Sequence, residues 1–292
     1  YFSTFVHEFA HILWFNEDLF KVYRDANNKI RTDIQQNNTK FGGETRSLII
    51  APEVLTYARE YFNDNTLIGV PLENGGGSGS AGSHWEKAFM PVEFMNPSVE
   101  APGIVTEFSL QLLKASGWYT FVDMGYTQHY TWGKGGTHTY HVSSCPTTEE
   151  FCSKSGDATC SWDYKSKAIC DGFDVFMGNC KYKKNDGKYC LKDVPEENKP
   201  DASEAYGKSS RCFMSNNKPH CYKSACENGS QIKITLANGG DGLCTENSQR
   251  ITINGYNVLC PSNLSDFCQR LSDACPDDCS GNGVCLSNKK CF

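Results

Sequence analysis

The stretch HEFAHILWFNEDLF, residues 7 to 20, governs the reading of the whole chain. His7 and His11 are one helical turn apart, so on a helix their imidazoles share a face, with about 5–6 Å between Cβ atoms. Glu8 lies next to His7. This H-E-x-x-H pattern is the start of a zinc site, in which two imidazoles hold the metal and the glutamate reaches a water. The surroundings predict the helix. Phe2, Phe5, Val6, Phe9, Ala10, Ile12 and Leu13 recur at spacings that give an apolar helix over 1–15, buried on most sides, with Asn16 as the residue that can stop it. Two imidazoles leave such a site incomplete, because a hydrolytic zinc takes three protein ligands and keeps a fourth position for water.

Three candidates compete for the third place. Glu17 lies ten residues after His7, where a compact H-E-x-x-H-x-x-G-x-x-H/D motif sets its last ligand. That motif turns sharply on a glycine, and here Trp14 occupies the glycine's position, so a tight return would strain the backbone. Glu53 and Glu60 fall on a second predicted helix, APEVLTYAREYF, which Pro52 starts and whose apolar face is Val54, Leu55, Ala58, Tyr61 and Phe62. No accompanying pattern supports either carboxylate. His84 follows GGGSGSAGS, whose small residues let backbone pass close to other groups. A flexible linker is the other reading of that composition, but a linker here would separate His84 from the helical pair for no evident reason. Met95 comes eleven residues later and precedes the turn dipeptide Asn96-Pro97. A histidine followed by a methionine on a tight turn is the floor of a metzincin site, with Met90 the second choice for the turn.

HEFAH, APEVL, LENGGGSGSAGSHWEK and the EFM after it together resemble the leishmanolysin family of zinc metzincins, and the likeness covers nearly the whole chain. The resemblance implies a long insertion between the second and third zinc histidines, here from His11 to His84. It implies one catalytic zinc ion on His7, His11 and His84, Met95 on the Met-turn, and Glu8 as general base on a zinc-bound water. The implied activity is a metalloendopeptidase acting on peptide bonds of extracellular or surface proteins, with a role in cell adhesion. Two departures stand out. Trp14 replaces the family's glycine, and FNDNTL lacks a cysteine that relatives carry, which implies one disulfide fewer in the catalytic region.

The rest of the chain adds context. All 16 cysteines lie between Cys145 and Cys291, a density that points to a secreted disulfide scaffold, since structural zinc clusters would need C-x-x-C pairs. Sequons at Asn37, Asn228 and Asn263 fit the secretory route. A third helix is predicted from about Thr106 to Ser116, with Phe108, Leu112 and Leu113 inward and Gly117 as its stop. The polar segment from Asp25 to Thr45 reads as a surface excursion, and QIKITL and QRITING as strands. CPDDCSGNGVCLSNKKCF resembles the opening of an epidermal-growth-factor-like module. His129, His138, His141 and His220 read as histidines of a solvent-facing strand, although the H-x-x-H of HTYH could bind a second metal.

The expected fold class is therefore α+β. It comprises the helical C-terminal part of a metzincin catalytic domain over 1–125, a disulfide-rich, mostly β or irregular domain over 126–270, and a partial EGF-like module over 271–292. The net charge of -6 gives no basic footprint, so the expected partners are protein or peptide substrates and no nucleic acid. No apolar run approaches a membrane span, so membrane association is expected only through segments outside this chain, and the location is secreted or at the cell surface. The chain starts at Tyr1 rather than Met, reaches its first ligand at residue 7 and ends inside a cysteine pattern, and is read as a fragment truncated at both ends. The competing reading is a catalytically inactive cell-surface adhesion protein on a protease scaffold. Against it, the base and all three histidines are present.

Overall fold

A computed structural model describes residues 2–98, 103–136, 145, 148–171, 174–177, 180–275, 279 and 285–291. It is a mixed helix and sheet structure, as the α+β assignment expects, and it divides into two compact units. One comprises residues 1–146 and 173–180, the other 147–172 and 181–292.

In the first unit, helix α1 spans Phe2–Leu13 and is followed by the single turn α2, Glu17–Phe20, capped by the Asn16 side chain. Among the residues of α1 whose burial is described, His7 and Ala10 are buried, and Phe5, Phe9, Ile12 and Leu13 are exposed. The prediction of a helix buried on most sides is thus corrected: among the described residues α1 buries one narrow stripe, and its other apolar side chains stay open. The polar segment after it is also more ordered than a surface excursion. Strands β1, Gln35–Phe41, and β2, Glu44–Ile49, form an antiparallel hairpin. Its turn is Gly42-Gly43, with φ 61° and 85°, the paired positive values that tight hairpins demand. The sequence hid this strand because most of Gln35–Phe41 faces solvent and lacks the apolar alternation that marks a half-buried strand.

Helix α3, Pro52–Phe62, has Pro52 in its first turn and ends on Asn63 in the left-handed conformation. Val54, Ala58, Tyr61 and Phe62 are buried, whereas Leu55 is only half-buried. A short strand β3, Val70–Pro71, pairs with β2. Helix α4, Glu107–Ala115, packs on α3. It turns Phe108, Ser109, Leu112 and Ala115 inward while Leu113 is half-buried, one position away from the predicted face. Phe62, Phe89 and Phe108 meet ring to ring at the centre, with centroids 4.8 Å (Phe62–Phe89) and 5.7 Å (Phe62–Phe108) apart. Residues beyond 125 stay fastened to this unit: Gly135 N–H donates to Tyr61 O (2.8 Å) and Tyr61 OH to Trp132 O (2.9 Å).

The second unit is strand and cystine. β4 (Ala158–Cys160), β5 (Ser166–Asp171) and β6 (Tyr182–Tyr189) form one antiparallel sheet. The larger sheet takes β7 (Ser210–Ser215), β8 (Lys218–Glu227), β9 (Gln231–Thr235), β10 (Asp241–Cys244), β11 (Arg250–Ile253) and β12 (Tyr256–Leu259), in the order β10-β9-β8-β7-β12-β11. QIKITL and QRITING are strands, as their alternation predicts. Helix α5, Leu264–Asp273, is capped by Asn263 and packs on β9. Phe213, Tyr222, Ile232, Ile234 and Phe267 lie in the core of this unit. All the cysteines are paired: Cys145–Cys180 in the first unit, and Cys152–Cys170, Cys160–Cys212, Cys190–Cys221, Cys226–Cys268, Cys244–Cys260, Cys275–Cys285 and Cys279–Cys291 in the second.

Candidate metal centre

Three elements of the first unit bring the predicted ligands together. α1 presents His7 and His11 on one face, since both fall in Phe2–Leu13 four residues apart. The chain leaves α1 without a glycine. Trp14 and Phe15 N–H both donate to Ala10 O (2.9 and 2.8 Å), and Trp14 is not among the residues with positive φ. The indole of Trp14 packs toward Phe94, and its carbonyl accepts from Tyr23 OH at 2.7 Å. This exit turns the Phe15 carbonyl back onto the helix.

The glycine-rich stretch before His84 is a folded loop and not a linker. Gly82 N–H donates to Glu73 O, and Glu73 N–H to His84 O, each at 2.9 Å. Gly82 has φ +79°, and a Cβ there would lie 2.8 Å from Glu17 Oε2. The positive φ and the close approach both call for glycine.

Each histidine is oriented by a backbone carbonyl. His7 Nδ1 is 2.6 Å from Phe94 O, His11 Nδ1 2.8 Å from Phe15 O, and His84 Nδ1 2.9 Å from Ser80 O. A carbonyl oxygen only accepts, so each Nδ1 carries the proton and each Nε2 keeps a lone pair. Those three Nε2 atoms converge. They are 3.1 Å apart between His7 and His11, and 3.2 Å apart in both pairs with His84. Lone pairs facing one another at this range repel, and a cation at their meeting point converts the repulsion into coordination. The donor set fits zinc, because ligand nitrogens roughly 2.0–2.1 Å from a tetrahedral ion stand about 3.3 Å from one another.

Burial favours the neutral ring at His7 and His84. Burial lowers the pKa of His7 despite its carbonyl partner, and burial takes His84 down to about 4, again against a carbonyl that opposes the shift. Neutral imidazoles are what a metal requires. Glu8, beside His7 on α1, is exposed to solvent and free to meet a water.

Met95 is fully buried, on a turn in which Asn96 N–H donates to Glu93 O at 3.2 Å. The turn serves both histidine segments: Phe94 O holds His7, and Met95 O accepts from Trp85 N–H at 3.0 Å. Met90 is also buried and accepts from the Asn96 side chain.

The other candidates lie elsewhere. Glu53 is held by Arg31 in a two-point ion pair (2.8 and 3.1 Å), and Glu60 is exposed. Glu17 touches the loop before His84, its N–H 3.4 Å from Ser83 Oγ. His220 Nδ1 is 3.0 Å from the local Lys218 carbonyl, and His138 and His141 lie outside the described residues. Sequence reasoning missed the orienting groups. Phe94, Phe15 and Ser80 act through main-chain oxygens, which no side-chain pattern announces. Glu93, a lone acid within the apolar run AFMPVEFM, is a signal that the sequence does carry.

The family model described as leishmanolysin, peptidase M8, matches residues 1–171. The chain is 25% identical over 284 residues to the ciliated left-right organizer metallopeptidase of Danio rerio, covering 89% of this chain and 45% of that protein. It is 26% identical over 298 residues to the leishmanolysin-like peptidase of Drosophila melanogaster (72% and 44% covered). It is 28% identical over 225 residues to the ciliated left-right organizer metallopeptidase of Homo sapiens (72% and 28% covered). The chain thus spans less than half the length of these relatives. Because the family match takes in more than half of the chain and contains all three converging histidines, this chain belongs to the leishmanolysin family of metallopeptidases.

Proposed function

We propose that this chain carries the active site of a zinc-dependent endopeptidase, with His7, His11 and His84 holding one zinc ion and Glu8 as general base. The observation that carries the reading is the convergence of three Nε2 lone pairs within 3.2 Å, each fixed by a carbonyl behind it. When bound, zinc supplies Lewis-acid polarisation of a scissile carbonyl and acidifies water towards neutrality. Glu8 takes the proton from the attacking water and returns it to the leaving amine, which its solvent exposure beside His7 supports. The carbonyls of Phe94, Phe15 and Ser80 hold the rings in the tautomer that faces the ion. Met95 forms the Met-turn of a metzincin floor.

We assign the catalytic function to residues 1–125, within the first unit, the cysteine-rich region to 126–270, and the EGF-like opening to 271–292. The crossed pairs Cys275–Cys285 and Cys279–Cys291 support the last assignment. Substrates are extracellular or surface proteins and peptides, and the setting is secreted or cell-surface. The dense disulfide pairing supports an oxidising compartment, and sequons at Asn37, Asn228 and Asn263 are exposed. Among the described residues no helix is long and apolar enough to cross a membrane.

The test compares a full-length protein containing this chain with its Glu8→Ala variant on casein, with and without a chelator. The expected loss for the variant is about 10²- to 10⁴-fold, the worth of a general base, with zinc content unchanged. Equal residual activity in both proteins, unchanged by the chelator, would dismiss the enzyme reading in favour of the inactive adhesion protein.

A further inference from the structure

Glu93 is an acid in the wrong place for a structural residue. It is 1% exposed, and among the described residues its partners are hydroxyls and backbone amides rather than a cation. One carboxylate oxygen accepts from Ser109 Oγ (2.6 Å) and Thr106 Oγ1 (3.0 Å), and the other from Met95 N–H. Burying a carboxylate without a counter-ion is unfavourable. Burial accordingly pushes this one up to about 7, against the bonds from Ser109, Met95 and Thr106 that pull it down. An apolar side chain of similar size would fill the space more cheaply, so the reason for an acid lies in what it holds.

What it holds leads to two metal-site histidines. Met95 N–H fixes the turn whose preceding carbonyl, Phe94 O, receives His7 Nδ1–H at 2.6 Å. Ser109 Oγ, while donating to Glu93, accepts from Trp85 Nε1 at 2.9 Å, and Trp85 directly follows His84. Trp85 N–H in turn donates to Met95 O at 3.0 Å, closing the ring. Trp85, Thr106, Ser109 and Met95 are all buried, so no water competes for these bonds.

We propose that Glu93 is a positioning residue for the metal centre: one side chain clamps the Phe94–Met95 turn behind His7 and, through Ser109 and Trp85, the segment that carries His84. The inference rests on the zinc-site reading above. Every bond to Glu93 arrives from a donor, so acceptor character is the property required. Glutamine has the same shape but presents an NH₂ group to at least one of these donors, which pushes the turn away and misaims the ring on Phe94 O.

The experiment uses the complete chain, stripped of metal, with zinc affinity measured by competition against a chromophoric chelator. The visible absorption of the cobalt(II) form reports ligand geometry. The wild type, Glu93→Gln and Ser109→Ala are compared. The expected result is a zinc affinity about 10- to 100-fold weaker for Glu93→Gln, the usual cost of losing an outer-shell partner, with an altered cobalt spectrum. Ser109→Ala shows a smaller loss in the same direction. A zinc affinity within twofold of wild type and an unaltered cobalt spectrum in the variants would overturn the proposal. Should Glu93→Gln fail to fold, Ser109→Ala alone gives the answer by the same criteria. A folded wild type that takes up no zinc would instead bring down the metal-site reading on which this rests.

Discussion

His84 is the residue on which the site turns, because His7 and His11 are placed by one helix whereas His84 must be delivered across the fold. Its ring is buried, and burial lowers its pKa from 6.5 to about 4. The sign follows. In the metal-free protein, between pH 6.5 and about 4, the unfolded chain binds a proton on this ring that the folded chain refuses, so folding stability falls as pH falls through that window. Glu93 works in the opposite sense, since its value is raised to about 7 and its protonated form is favoured as pH falls. The His84 contribution is therefore isolated by comparing wild type with His84→Asn, which cannot titrate there. Thermal midpoints measured from pH 7.5 down to 4 should show the wild type losing ground to the variant on acidification. A constant difference would contradict the assignment of a depressed value. At this scale the H-E-x-x-H pair was legible because helical period alone sets it. His84 was legible from its loop and the methionine that follows. The carbonyls behind the rings were not, because main-chain atoms leave no mark on composition.

Elements fix these residues through a few backbone approaches that tolerate no side chain. Gly117, at the end of α4, has φ +71°, and a Cβ built there would lie 2.0 Å from Arg24 O. Gly117→Ala must strain φ and also move the Arg24 backbone, so it should destabilise the first unit by at least about 2 kcal/mol, within the range of local backbone strain. Chemical denaturation of the two proteins checks this, and a difference below half that value would show that the segment yields. Predicting Gly117 as a helix stop needed only the periodicity before it. Its close approach to Arg24 was not legible, since it depends on a segment some ninety residues earlier in the chain. The hairpin Gln35–Ile49 was not legible for a related reason: its first strand is mostly solvated, so its order comes from the Gly42-Gly43 turn and from pairing with β2, and little from an apolar face. On α1 the apolar spacing carries the helix but not its burial, because periodicity tells which side chains share a face and not whether a neighbour covers it.

The whole molecule is two units of different construction. The first holds the three histidines and a single disulfide, Cys145–Cys180, while the second is sheet and cystine, with Cys160, Cys190, Cys212 and Cys221 clustered in one buried group. Cysteine density announced the second unit from sequence, but the pairing could not be read, because the same spacings allow many connectivities. Cys190→Ala together with Cys221→Ala should cost the second unit about 2–5 kcal/mol, the usual worth of a native disulfide in a small secreted domain. The metal site, built without cysteine, should keep its zinc. Calorimetry with parallel metal analysis distinguishes this outcome from joint loss, which would mean that the two units do not stand independently. The central claim, that one cation is shared by His7, His11 and His84, is tested most directly by X-ray absorption at the zinc edge on the chain loaded with one equivalent of metal. Three imidazole nitrogens at roughly 2.0–2.1 Å, falling to two in His84→Ala, is the predicted result; an unchanged first coordination sphere in that variant would contradict the account.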